Sequence, residues 1–208
     1  MSLGMVILTV VAALVFFGVL QRVLDRMHLT DRSALFLIAL MFAGTLLPNL
    51  DFGMVKVSLG GAVIPLGVCI WLWFKADTTN EKIRAVAGAV LTAAAVYLMS
   101  KLLPAEAEAM PVDPNLLYGL GAGVIACILG RSRRAAFICG VVGIMLSDAA
   151  SAAVNWLQGV SQPLVLGGAG VFDAAVISGV AAVLFTELVG EAMERIIRRR
   201  NAKRREPV

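Results

Sequence analysis

Two aspartates lie inside or against long apolar stretches. Asp148 interrupts the run from Ala135 to Leu157, and Asp173 opens the next run, directly behind Leu166-Gly167-Gly168-Ala169-Gly170-Val171-Phe172. A carboxylate at membrane depth costs at least ~2.5–3.5 kcal/mol on insertion scales, so residues of this kind are retained for a task. Two carboxylates brought together away from water do not readily both ionise, and the pair holds one proton. Such a pair can activate a water with one carboxylate while the other protonates a scissile amide. It can equally carry a proton or bind a cation. A third role needs no chemistry, because Asp173 is placed to accept N–H groups at the start of the helix that follows. Asp148 and Asp173 are therefore the candidate catalytic residues, with Ser147 beside the first.

Other residues extend this constellation. Steps of four and three from Asp173 pass Ile177, Val180 and Leu184 to reach Glu187 and Glu191, so the three acids share one helical face. If Glu187 marks the inner boundary of the membrane, Asp173 is submerged and can approach Asp148. If Glu194 marks it, Asp173 sits at the outer surface. Two glycine clusters, Leu59-Gly60-Gly61-Ala62-Val63-Ile64-Pro65 and Leu166 to Gly170, each precede a span running in the same direction. Their common Leu-Gly-Gly-Ala opening makes a parallel internal repeat thinkable. Consecutive glycines weaken a helix, and backbone groups freed at membrane depth must be buried in protein or line a wet cavity. Gly60, Gly61, Gly167, Gly168 and Gly170, with Ser147 and Glu187, are accordingly candidate substrate- or ion-binding positions. Close helix packing through small residues is the alternative, and it suits Gly119-Leu120-Gly121-Ala122-Gly123 and the Gly140/Gly143 pair.

These residues need a scaffold, and composition indicates which. Of 208 residues, 60% are hydrophobic and 15% charged, where a soluble domain carries about a quarter charged. Seven apolar blocks, at about 3–20, 33–50, 57–74, 85–102, 115–130, 135–157 and 174–193, approach the length that crosses ~30 Å of hydrocarbon. Sixteen of the eighteen Lys and Arg residues fall in alternate connections or the tail; only Lys56 and Lys101 fall on the other side. The expectation is an all-α, polytopic, seven-span protein forming one transmembrane domain over 1–208, N-terminus out and C-terminus in, with a basic cytoplasmic tail over 194–208. The net charge of +4 then reflects topology and contact with anionic lipid, not nucleic-acid binding.

The stretch 158–172 has no charge and carries Val160, Leu164, Val165, Leu166, Val171 and Phe172, so it is expected to lie in the interface or to re-enter the membrane. The N-terminal run lacks a positive n-region and a small-residue cleavage site, and reads as a first span rather than a signal peptide. Cys69, Cys127 and Cys139 fall within spans with no metal-ligand spacing, and His28 has no Cys or His partner nearby, so no metal is expected. No nucleotide or redox cofactor is indicated. Partner proteins and oligomeric state leave no trace in the sequence; the bilayer and an unidentified membrane peptide or small solute are the expected partners.

The segments Val57 to Leu66, Gly143-Ile144-Met145-Leu146-Ser147-Asp148 and Gly167 to Asp173 resemble the recurring motifs of an uncharacterised prokaryotic membrane family, domain of unknown function 1614. The resemblance runs from about Ala43 to Glu187, with Gly-Gly-Ala-Gly-x-Phe-Asp its most specific element. The family pattern has Gly-Ala-Asp where this chain has Leu146-Ser147-Asp148, and glycine where Ala174 follows Asp173; both aspartates are retained. It implies a multi-pass protein of the prokaryotic plasma (inner) membrane and supplies no activity. The arrangement also resembles intramembrane aspartyl proteases of the presenilin and prepilin-peptidase class. These place one aspartate on each of two neighbouring spans, the second behind Gly-x-Gly-Asp. Here Val171 and Phe172 separate Gly168-Ala169-Gly170 from Asp173, Ser147 stands where presenilins carry tyrosine, and Pro-Ala-Leu is missing. That likeness implies an aspartyl intramembrane protease acting through Asp148 and Asp173. A small proton- or cation-coupled transporter using the same acids, and a non-enzymatic membrane scaffold, are the alternatives.

Overall fold

The computed structural model describes residues 31–102 and 114–203, together with a few positions between 17 and 27. Most of the expected first span 3–20, His28, the acidic connection with Glu106, Glu108 and Asp113, and Arg204 and Arg205 lie outside the described residues. The fold is all-α around one small sheet. Helix α1 (Asp31–Leu46) leads into strands β1 (Leu50–Asp51) and β2 (Val55–Val57), a π-helical turn (Leu59–Val63) and α2 (Ile64–Phe74). Helices α3 (Thr79–Leu102), α4 (Pro114–Gly130) and α5 (Arg133–Leu157) follow. Strand β3 (Leu164–Leu166), a short 3-10 turn (Gly170–Phe172) and α6 (Ala174–Lys203) complete the chain. The segments Thr79–Leu102, Arg133–Leu157 and Ala174–Ile196 are long and apolar enough to cross a membrane; Leu35–Leu46, Leu59–Phe74 and Pro114–Gly130 are shorter apolar helices.

Helix α5 is the axis of the bundle, because its glycines and alanines let neighbours approach on several sides. An added Cβ at Gly143 would lie 2.7 Å from Thr92 of α3, and one at Gly140 would lie 2.8 Å from Ser178 of α6. Gly119 and Gly123 of α4 meet Ile177 and Ala181 of α6 in the same way. Polarity is distributed as a membrane bundle requires. Small residues such as Ala122, Ala135, Cys139 and Ala182 are fully buried, while Phe36, Phe74, Ile128 and Leu188 stay more than 60% exposed on the outside. The start of α5 has a local cause. Ser132 caps α5 by accepting the Ala135 N–H at 3.1 Å, and it donates to Glu81 of α3 at 2.7 Å.

The sheet departs from the expected helical span at 57–74. Strand β2 pairs antiparallel with β1, Asp51 opposite Lys56, across a turn in which Gly53 takes φ +79°. It also pairs in parallel with β3, Val57 opposite Leu166. The 158–172 connection is therefore ordered by a strand ladder, and the 57–74 block begins as strand and π-turn before its helix. Short β-branched triplets next to consecutive glycines favour extended backbone over helix, and the partner strand satisfies the N–H and C=O groups so exposed. The two Leu-Gly-Gly-Ala segments consequently run side by side in the same direction.

Candidate functional site

Asp173 sits where β3 gives way to α6. Gly167 and Gly170 take φ +69° and +62°, left-handed values that turn the chain sharply. The turn is closed by N–H donation from Gly170 to the Gly167 carbonyl at 2.8 Å and from Asp173 to the Gly170 carbonyl at 3.1 Å. Asp173 itself is extended, with φ −66° and ψ 147°. Its Oδ1 accepts the Ala175 N–H at 3.0 Å and its Oδ2 accepts the Ala169 N–H at 3.3 Å. Its carbonyl accepts the Ile177 N–H at 3.0 Å. The side chain is buried, and it clamps the turn while capping α6.

Asp148 approaches the same place from α5, half-buried. The two aspartates line one cavity of about 320 Å³, together with Ser100, Asn115, Tyr118, Ser147, Ser151 and Gly168. Among the described residues no basic side chain lines it, and no hydrogen bond engages Asp148. The cavity thus offers one carboxylate fixed by amides and a second with open valences, in a wall of hydroxyl and amide groups. Such a wall suits a proton, a cation or a small solute bearing N–H donors.

The glycines divide into two groups. Gly168 lines the cavity. Gly60, Gly61 and Gly167 are buried against other backbone, and Gly170 is buried against the Thr45 side chain. A Cβ on Gly61 would collide with the Gly167 carbonyl, one on Gly60 with the Met41 carbonyl, and one on Gly170 with Thr45. Their role is close approach between the β2 and β3 turns and α1, and their carbonyls do not open into the aspartate cavity. Ser58 completes this knot by accepting the Gly61 N–H at 3.3 Å.

Glu187 does not join the aspartates. It lies fourteen residues beyond Asp173 on α6, ~21 Å along the axis, and its Oε2 stands 2.6 Å from Nε of Arg133 on α5. Both line a larger cavity of about 820 Å³ at the opposite, basic end, with Asp77, Glu81, Arg84 and Arg134. Asp173 itself precedes the helix with extended backbone. The length of α6 separates it from Glu187.

Two loop carboxylates have local partners. The Arg134 guanidinium donates to Asp77 at 2.8 Å and holds that carboxyl below its ordinary range near 3.8; Arg134 also donates to the Lys75 carbonyl. The Gly53 N–H and Lys56, 3.2 Å away, lower Asp51 in the same way. Among the described residues no group of His, Cys, Asp and Glu is arranged to hold a metal ion.

Sequence reasoning missed Ser100, Asn115, Tyr118 and Ser151. Ser100, Asn115 and Tyr118 lie at the ends of α3 and α4 nearest the aspartates, and Ser151 follows Asp148 on α5. The signal was available as polar residues clustered at one end of several apolar runs, weaker individually than the acids within them.

The helices and the cavity define a helical protein with three segments of membrane-crossing length and a polar site set between helices. A family model described as "Protein of unknown function (DUF1614)" matches residues 11–185. The chain belongs to that family. No curated protein and no solved structure matches it.

Proposed function

We propose that this chain is a seven-span inner-membrane protein and a small proton- or cation-coupled transporter, with Asp148 as its carrier group. The observation that carries the reading is the inequality of the two aspartates. Both oxygens of Asp173 accept backbone N–H groups, so it is held in place as a hydrogen-bond acceptor, whereas Asp148 faces the cavity without such bonds among the described residues. One exchangeable acid in a hydroxyl-lined cavity can take up and release a proton or cation as access changes. The alternation of basic residues supports placing the aspartate cavity in the outer half and the Arg133–Glu187 end at the cytoplasm. Reconstituted protein should move protons down an imposed pH gradient, alone or coupled to a cation, and Asp148→Asn should reduce this to the level of empty vesicles. Flux insensitive to the gradient, or unchanged in Asp148→Asn, would overturn the reading.

The shared cavity also favours a second reading, an aspartyl intramembrane protease, since both carboxylates border the same space. The amide bonds on Asp173 weigh against it, because a catalytic pair needs both carboxylates to exchange a proton with one water. Cleavage of a membrane peptide that is lost in both Asp148→Asn and Asp173→Asn, with folding intact, would restore it.

A further inference from the structure

The outer side of the bundle carries a groove. Helices α2 and α3 make little contact with one another, and each packs on α5 instead. The gap between them has a volume of about 420 Å³, walled by Ile70 and Trp73 of α2 and by Val86 and Val90 of α3, and floored by Ile138 and Val142 of α5. No charged side chain lines it. Ile70, Val86 and Val90 are each more than half exposed, so the groove opens outward and not into the core.

Its length and placement are those of one leaflet. From Leu66 to Phe74 on α2, and from Ile138 to Leu146 on α5, the lining covers eight residue steps, or ~12 Å of helix. Bilayer hydrocarbon is ~30 Å thick, so the groove reaches less than halfway across. It starts where α2 stops and α3 begins, the end that the proposed topology sets at the cytoplasm.

Two cations stand at this mouth. Nζ of Lys82 lies 5.2 Å from the centroid of the Trp73 ring, and Lys75 is exposed at the C-cap of α2. Neither lysine has an ion pair among the described residues. The acids of the same connection are engaged, Asp77 by Arg134 and Glu81 by Ser132. Tryptophan and lysine at the membrane boundary are groups that meet lipid headgroups. A second copy docked face to face would set these like charges against each other.

We propose that this groove holds one acyl chain of an anionic phospholipid, with the lipid phosphate between Lys75 and Lys82. Lipid tails are as apolar as leucine, so the groove gains little by hydrophobicity. It positions the chain, and the lysines supply the preference for negative charge. The proposal rests on the membrane topology and not on transport.

Phospholipids brominated in the acyl chain quench the tryptophans they touch. A chain with Trp71→Phe and Trp156→Phe keeps Trp73 as its reporter. One with Trp73→Phe and Trp156→Phe keeps Trp71, which is exposed on the same helix but does not line the groove. Both are reconstituted in phosphatidylcholine mixed with brominated phosphatidylglycerol, and in the reverse mixture. At Trp73, phosphatidylglycerol should be preferred by about fivefold or more, the factor one interfacial lysine supplies; at Trp71 there should be little preference. Lys75→Gln with Lys82→Gln should bring Trp73 to the value of Trp71.

Equal quenching by both headgroups at Trp73, or a preference that survives the lysine changes, overturns the proposal. Quenching at Trp71 alone overturns it in favour of protein, such as a second copy, covering the groove. No quenching at either site overturns it together with the membrane topology, so the two failures are told apart. If the tryptophan variants do not fold, the native chain is extracted in detergent from vesicles of both lipids and weighed intact. One retained phosphatidylglycerol per chain supports the proposal; retention of neither lipid, or of both alike, overturns it.

Discussion

Asp148 and Asp173 face one cavity from neighbouring helices, but the backbone holds only one of them. Asp173 spends both oxygens on the amides of Ala169 and Ala175, which fixes the turn that closes the cavity and starts α6. Asp148 projects from mid-helix with no such bonds, into a wall of hydroxyls. One acid therefore builds the site, and the other is available to act in it.

Asp148→Asn should abolish gradient-driven flux and leave the fold intact. Asparagine keeps the shape and removes a charge that burial already penalises, so the change in stability should lie between zero and a gain of about 1 kcal/mol. Flux in proteoliposomes and thermal unfolding in detergent, measured on the same preparation, check both halves. A loss of flux accompanied by a collapse in stability would mean that Asp148 is structural.

Asp173 should behave oppositely. Asp173→Ala removes the acceptor for two amides and should cost about 1–2 kcal/mol, in the upper part of the range for a lost helix cap. Asp173→Asn keeps a side-chain oxygen for the Ala175 N–H and should recover most of that loss. The comparison is read from the two unfolding midpoints. Equal losses in both variants would show that the charge matters more than the cap, and would return attention to the paired-carboxylate chemistry.

Much of the helical architecture was legible because apolar length is a direct signal, and its errors follow from the same cause. The block expected at 85–102 begins at Thr79, since Thr78 accepts the Glu81 N–H and starts a polar first turn that hydropathy does not register. The last helix continues to Lys203 through a charged segment for the same reason. The sheet was not legible: its strands are two or three residues long, and Val57 meets Leu166 only across more than a hundred residues of sequence. Asp148 and Asp173 stood out individually as costly residues. Their unequal bonding depends on the φ values of Gly167 and Gly170, which sequence alone does not give. Glu187 shows the limit of a face argument, since a shared face fixes direction around a helix and says nothing of the distance along it.

The glycine knot predicts a sharp contrast between three alanine substitutions. Gly61→Ala and Gly167→Ala place a methyl group against backbone of the opposing turn, and Gly167 is also left-handed. Backbone cannot retreat as a flexible side chain can, so each should exceed the ~1–3 kcal/mol of ordinary overpacking. Gly67→Ala, in α2 with nothing near its added methyl, should stabilise by about 0.5–1 kcal/mol through helix propensity. Unfolding midpoints of the three variants test this. Tolerance of Gly61→Ala would mean that the β2 and β3 turns are not held in contact.

At the basic end, the Arg134–Asp77 contact should leave a signature in acid. The carboxyl of Asp77 is held below its ordinary value near 3.8 because the Arg134 guanidinium donates to its charged form. A lowered folded-state value means that the pair contributes fully above the unfolded value and loses its contribution as pH falls through the folded one. The midpoint difference between the native chain and Asp77→Asn should be constant above about pH 5 and shrink toward zero below about pH 3.5. It should also be small throughout and weaken with salt, because Asp77 is exposed and its pair is screened. Thermal unfolding of both chains across that range makes the comparison. A difference that grows as the pH drops would reverse the sign and rule out Arg134 as the stabilising partner.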